Sequence, residues 1–134
     1  MSNTEQHTKV KRERPISPHL SVYKPQITSV MSISHRITGV FLLLGLFLDL
    51  AWLISLACGE EPFNLVNSFM YSPIGKFIML GFAFGIYFHL CNGIRHLFWD
   101  FGKGLEIETA KKFGMVVIIA SIGLTILTFI SFNG

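Results

Sequence analysis

The chain has 134 residues, of which 51% are hydrophobic and only 14% carry a charge. A soluble domain usually has about a quarter of its residues charged, so this composition argues against one. The net charge of +3 is small, and the basic residues flank apolar blocks without forming one exposed face. That placement argues against nucleic-acid binding and favours a protein that uses membrane lipid as its solvent.

Residues 1–14 are polar and mixed in charge. They lack the apolar core of a signal peptide, and Glu5 and Glu13 argue against a mitochondrial transit peptide, which is poor in acids. We therefore expect residues 1–27 to form a cytoplasmic segment and the first membrane helix to act as the insertion signal. These features favour a bacterial inner membrane; a subunit encoded within mitochondria is the alternative.

Three apolar blocks follow this segment. Crossing the hydrocarbon takes about 20 apolar residues, and backbone groups in lipid must be satisfied within the segment, which requires helices. The blocks predict transmembrane helices over approximately residues 28–57, 72–100 and 111–132. The fold class predicted is all-α, with residues 28–134 as one integral membrane domain.

The loops indicate the direction in which these helices cross. The loop over residues 59–64 contains Glu60 and Glu61 and no basic residue. The N-terminal segment and residues 101–112 hold most of the Lys and Arg. Because basic loops stay on the cytoplasmic side, the N-terminus and the second loop are expected there.

A first polar cluster opens the first predicted helix. Ser32 and Arg36 are four residues apart and share a face, and His35 and Gly39 are paired in the same way. Ionisable groups inside membrane spans are costly and usually functional. An interfacial anchor, in which the arginine extends to the lipid headgroups, is the competing interpretation.

A second cluster lies on the second predicted helix. Spacings of 4, 4, 4 and 3 put five residues on one face: Gly81, Gly85, His89, Gly93 and His96. A glycine groove beside two imidazoles suits a haem, whose plane needs a close backbone approach and whose iron needs a neutral imidazole. A seam of small residues for helix packing, with hydrogen-bonding histidines, is the alternative.

Depth in the membrane separates the roles of the histidines. At 1.5 Å per residue, His89 lies roughly 9 Å from Arg95 and roughly 20 Å from Lys76, inside the hydrocarbon. His89 is therefore the better axial ligand, whereas His96 and His35 lie near the headgroups and suit haem propionates. The spans offer no convincing second axial ligand, so a six-coordinate haem needs a histidine from a partner chain.

The sequence resembles the cytochrome b membrane-anchor subunit of succinate dehydrogenase, respiratory complex II. Three motifs carry the resemblance: RPISPHLSVY at residues 14–23, SISHRITG at residues 32–39 and HLCNGIRHLFWD at residues 89–100. It extends from about residue 14 to the C-terminus and includes the layout of three helices. The resemblance implies a haem-binding helical bundle that a second, smaller hydrophobic anchor subunit completes.

The resemblance also implies roles for single residues. His89 falls on the axial ligand of haem b, with the other ligand supplied by the second anchor subunit. His35, Arg36 and His96 fall on positions near the haem propionates, and Ser32 and Arg36 fall on quinone-binding positions. Electrons are then expected to pass from succinate through a flavoprotein with FAD and an iron–sulfur subunit to ubiquinone. No catalytic dicarboxylate site is expected in this chain itself.

Two other functions are compatible with this sequence. One is the anchor of a quinol:fumarate reductase, which has the same architecture with net electron flow reversed. The other is a haem-free membrane scaffold or small transporter, although transporters usually show repeats or broken helices, and neither is evident here.

Overall fold

The computed structural model describes Pro15 and residues 26–133, and the described part of the chain folds into four helices. In chain order these are α1 (Ile27–Cys58), α2 (Glu60–Tyr71), α3 (Pro73–Asp100) and α4 (Ile107–Asn133). Three of them, α1, α3 and α4, are long and apolar enough to cross a membrane. The predicted all-α fold with three transmembrane helices is confirmed. The predicted segment 1–27 and the motif at residues 14–23 lie almost wholly outside the described residues.

Local sequence signals determine where the helices begin and end. Gly59 has a φ of 115°, a left-handed conformation that favours glycine, and it separates α1 from α2. Ser72 begins α3 as its N-cap: its Oγ accepts a hydrogen bond of 3.1 Å from the backbone N–H of Gly75. Pro73 follows at the first helical position, where its missing N–H costs nothing.

Helix α2 was not expected, because its first residues were interpreted as a loop. Glu60 and Glu61 lie in its first turn, where carboxylates interact favourably with the helix dipole. The ring of Phe63 lies 6.1 Å from the ring of Trp52, so α2 folds back beside the end of α1. The third transmembrane helix begins earlier than the predicted residue 111, since α4 starts at Ile107.

Helix α3 lies between α1 and α4 and packs against both. The near end of the bundle is defined as the end at which α1 and α4 begin and α3 ends; the far end is the opposite one, beside α2. At the near end Met31, Phe88 and Val117, one from each long helix, form a buried cluster. Towards the far end the rings of Phe41 and Phe82 stack 4.4 Å apart, and Tyr87 Oη is hydrogen-bonded to Thr128 Oγ1 at 2.6 Å.

The outer faces of the long helices are apolar and exposed, as expected for surfaces in contact with lipid. Of the three long helices, α1 is the least covered by its neighbours, since Met31 and Ser55 are its only buried residues. Apolar side chains on its remaining faces, such as Leu43, Leu44 and Leu46, are more than half exposed. This chain therefore leaves most of α1 available for lipid or for another membrane helix.

The close approach of α1 to α3 at Gly45 makes a testable prediction. A Cβ at Gly45 would lie 2.8 Å from Cδ1 of Phe82, whose ring is held by its stack with Phe41. Gly45→Ala should therefore reduce the free energy of unfolding by about 1–3 kcal/mol, the usual cost of overpacking. Gly123→Ala is the matched control, because nothing lies within 4 Å of its new Cβ. Equal thermal midpoints for the two variants in detergent would contradict this packing.

Candidate functional site

The imidazole of His89 is held in one orientation at the contact between α1 and α3. Its Nδ1 lies 3.2 Å from the carbonyl oxygen of His35 and 3.3 Å from Thr38 Oγ1. The Thr38 hydroxyl is positioned to donate to the carbonyls of Ser34 and His35, each at 2.9 Å. Because a carbonyl can only accept, we assign the proton of His89 to Nδ1. Its Nε2 then carries a lone pair and makes no hydrogen bond within residues 26–133.

Three histidines come together around this ring. The ring of His35 stacks on that of His89, with centroids 3.9 Å apart and planes inclined by 13°. His96 lies 5.2 Å from His35 and makes an edge contact with Trp99 at 5.1 Å. The Nδ1 of His35 is buried and has no hydrogen-bond partner in the described part of the chain. The cluster thus contains polar ring atoms that the protein described here leaves unpaired.

Around Gly85 the glycine face of α3 is covered by α1 and does not form an open groove. Gly85 faces the ring of Phe41, and a Cβ at Gly85 would lie 3.3 Å from it. Nearer the histidines, a Cβ at Gly39 would lie 3.2 Å from Cε1 of His89, and one at Gly93 would lie 3.9 Å from His35. Close helix packing therefore accounts for these glycines, while the imidazoles remain at the near end of the seam.

Ser32 and Arg36 lie one helical turn apart on α1, beside this cluster. Ser32 is half-buried and Arg36 is exposed. Other hydroxyls in the long helices, such as those of Ser55 and Ser121, donate to carbonyls of their own helix at 2.6–2.7 Å. Neither Ser32 nor Arg36 makes a hydrogen bond or ion pair with any described residue.

A buried polar network lies on the adjacent face of α3. Asn92 is fully buried, and its Nδ2 donates to the carbonyl of Met31 at 3.3 Å. Arg95 is 3% exposed and donates from Nη1 to Asn92 Oδ1 and from Nη2 to the carbonyl of Ala110, at 3.2 and 3.1 Å. Its guanidinium lies 4.2 Å from the centre of the Trp99 ring, a cation–π contact. These contacts connect all three long helices.

From the sequence, Arg95 served only as a reference for the depth of His89, and no role was assigned to Asn92. In the structure Arg95 donates to a carbonyl of α4. One signal was present: two polar residues three positions apart in an apolar span share a face and must find partners. The partners themselves, backbone carbonyls of α1 and α4, have no sequence signature.

Fold and site together define a multi-pass helical membrane protein with an imidazole-bearing polar site between two of its spans. The family described as succinate dehydrogenase/fumarate reductase transmembrane subunit matches residues 10–128. The chain belongs to this family, and the resemblance found in its motifs is confirmed.

Relatives occur in bacteria and in mitochondria. The succinate dehydrogenase cytochrome b556 subunit of Rickettsia prowazekii is 42% identical over 127 residues, which cover 92% of this chain and 99% of the relative. The b556 subunit of Paracoccus denitrificans is 40% identical over 119 residues, 89% of this chain and 92% of the relative. The mitochondrial b560 subunit of Sus scrofa is 40% identical over 114 residues, 81% of this chain and 66% of the relative.

The buried network predicts a structural role for Arg95. Arg95→Leu leaves Asn92 Oδ1 and the carbonyl of Ala110 without this donor, which should reduce stability by about 1–3 kcal/mol. Lys112→Leu removes a cation from the exposed start of α4 and serves as the control. The thermal midpoint of each purified variant in detergent tests this. A loss no larger for Arg95→Leu than for Lys112→Leu would show that the network contributes nothing.

Proposed function

We propose that this chain is the haem b-binding membrane anchor of a succinate dehydrogenase and that it binds ubiquinone at the near end of the bundle. The observation that carries this proposal is the orientation of His89. Histidine ligands of metals characteristically donate their second ring N–H to a carbonyl or carboxylate, which fixes the tautomer and the ring. His89 has that arrangement with the carbonyl of His35, and its Nε2 is left for an iron.

The residues around His89 fit a haem b, which would supply a one-electron redox centre inside the membrane. His89 would hold the iron through Nε2. His35, whose buried Nδ1 has no partner among the described residues, and His96 would donate to the propionates together with the cation of Arg36. His35 stacks face to face with His89 and is not placed as a further ligand to the same iron. The resemblance to the family implies that a second hydrophobic anchor subunit would supply one.

Ser32 and Arg36 are proposed to bind the quinone. A hydroxyl donor with no partner among residues 26–133, beside an exposed cation, suits a carbonyl oxygen that becomes more negative as the quinone is reduced. Arg36 orients and stabilises that oxygen, and Ser32 donates the hydrogen bond. Because α1 begins at the near end, both residues lie at the level of Lys103, Lys111 and Lys112, the side that the positive-inside rule assigns to the cytoplasm.

The remaining partners are proposed from the resemblance to the family. Each of the three is a subunit of succinate dehydrogenase, which favours succinate oxidation over the reverse reaction in a quinol:fumarate reductase. A flavoprotein with FAD is proposed to oxidise succinate, and an iron–sulfur subunit is proposed to deliver electrons to the quinone from the cytoplasmic side. The succinate chemistry is assigned to the flavoprotein, and the bacterial inner membrane is the proposed location.

His89→Leu tests the ligand assignment. The substitution removes the imidazole but keeps an apolar side chain, so the helix should still insert while the haem spectrum is lost or severely altered. Tyr87→Phe is the matched control: it deletes a hydrogen bond from the same helix, to Thr128 on α4. We expect normal haem in this control, measured from reduced-minus-oxidised spectra of purified membranes. An unchanged spectrum in His89→Leu would exclude His89 as the ligand.

Ser32→Ala separates quinone binding from haem binding. It removes one donor without changing charge, and it should lower succinate–quinone activity by about tenfold or more, as expected for loss of a donor to developing charge. Haem content and succinate oxidation with phenazine should stay near normal. Ser34→Ala, two residues along and on another face of α1, should leave all three quantities unchanged. Undiminished quinone reduction in Ser32→Ala, or an equal loss with phenazine, would place the quinone elsewhere.

A further inference from the structure

Two polar links join α1 to α3, and they lie side by side. In one, Asn92 donates to the carbonyl of Met31; in the other, Nδ1 of His89 meets the carbonyl of His35 and the hydroxyl of Thr38. Met31 and His35 are four residues apart on α1, and Asn92 and His89 are three apart on α3. The two links therefore lie one helical turn apart along a pair of antiparallel helices.

Both ends of the Asn92 carboxamide have a hydrogen-bond partner, and together these fix its orientation. Arg95 has only donors, so the oxygen of Asn92 must face Arg95 and the nitrogen must face the carbonyl of Met31. Arg95 is in turn held by the carbonyl of Ala110 on α4 and by the face of Trp99. Asn92 is fully buried, so water offers no alternative partner. The position of Met31, and of the turn of α1 after it, is thus tied to α3 and α4.

A shift of α1 along α3 would move the His35 carbonyl away from His89. Other contacts between these helices near the site, such as ring stacking, the approach of Gly39 to His89 and the packing of Met31 with Phe88, are less directional than a hydrogen bond. Ser32 directly follows Met31 and would move with it. The hydrogen bond from Asn92 to Met31 therefore bears on the geometry of both proposed sites, although Asn92 belongs to neither.

We propose that Asn92 is a positioning residue: by binding the carbonyl of Met31 it holds α1 in the register that orients the His89 ring and places Ser32. This inference rests on the proposed function, because the haem and the quinone report the geometry. The N–H donor of Asn92 then controls the orientation of His89, whereas its carbonyl oxygen holds Arg95.

Two substitutions in the complete membrane complex separate these groups. Asn92→Leu removes donor and acceptor together. Asn92→Asp keeps an acceptor for Arg95, and the new carboxylate is paired with that cation, but the donor to Met31 is lost. Ser121→Ala is the matched control, since Ser121 is also fully buried but donates only within its own helix, to Val117.

The decisive readout is the electron paramagnetic resonance spectrum of the oxidised low-spin haem. The position of its low-field resonance depends on the relative orientation of the axial imidazole planes. We expect this resonance to shift in both Asn92 variants and to stay in place in Ser121→Ala. Quinone reduction should fall about two- to tenfold, the factor expected for one lost hydrogen bond, with phenazine-linked succinate oxidation unchanged.

The outcomes distinguish this inference from the proposed function. If Asn92→Leu does not assemble, Asn92→Asp decides the question, because it retains the acceptor for Arg95. A wild-type resonance and wild-type quinone reduction in Asn92→Asp would overturn the positioning role and leave Asn92 only as a support for Arg95. Absence of a low-spin haem signal from the wild-type complex would overturn the proposed function instead.

Discussion

Hydrocarbon offers polar side chains no hydrogen-bonding partner, and this constraint governs the arrangement of the three long helices. Hydroxyl groups meet it locally, as in Ser121 and Thr125, which donate to carbonyls of their own helix. Side chains that are too large to do so bond to a neighbouring helix, as Asn92, Arg95 and Tyr87 do. Helix α3 carries all three of these residues, and it makes the most extensive contacts with the other two long helices.

The two ends of the bundle meet this constraint differently. At the far end α1 and α3 are held by apolar contacts, such as the stack of Phe41 on Phe82 beside Gly45. At the near end they are joined by directional hydrogen bonds from Asn92 and His89. Directional contacts define a register in a way that dispersion forces do not. A site that requires defined geometry is therefore better placed at the near end. Ser32, Arg36 and His89 Nε2, which have no hydrogen-bond partner among residues 26–133, also lie there.

Much of this arrangement could be predicted from the sequence, because periodicity and hydropathy report which residues share a helix face and which segments prefer lipid. The three spans followed from those signals and are found in the structure. The resemblance assigned His35, His89 and His96 to one haem, and their rings lie close together. Helix α2 was missed because the two acids and proline at its start are equally typical of a loop.

Contacts between helices were harder to predict, since they depend on crossing geometry that a single helix does not encode. The glycine face of α3 was interpreted as a possible open groove, but Phe41 covers it at Gly85. No partner was predicted for Arg95, which donates to the carbonyl of Ala110. The Nδ1 contact of His89 depends on a backbone carbonyl, which every residue has, and it could not be anticipated from composition or spacing.

The most direct test of this account is an optical difference spectrum of the purified wild-type complex, with succinate and then dithionite as reductant. The account predicts the narrow α-band of a six-coordinate low-spin haem b, present in about one copy for each copy of this chain. A complex that contains this chain and oxidises succinate, but shows no haem b band even with dithionite, would contradict it.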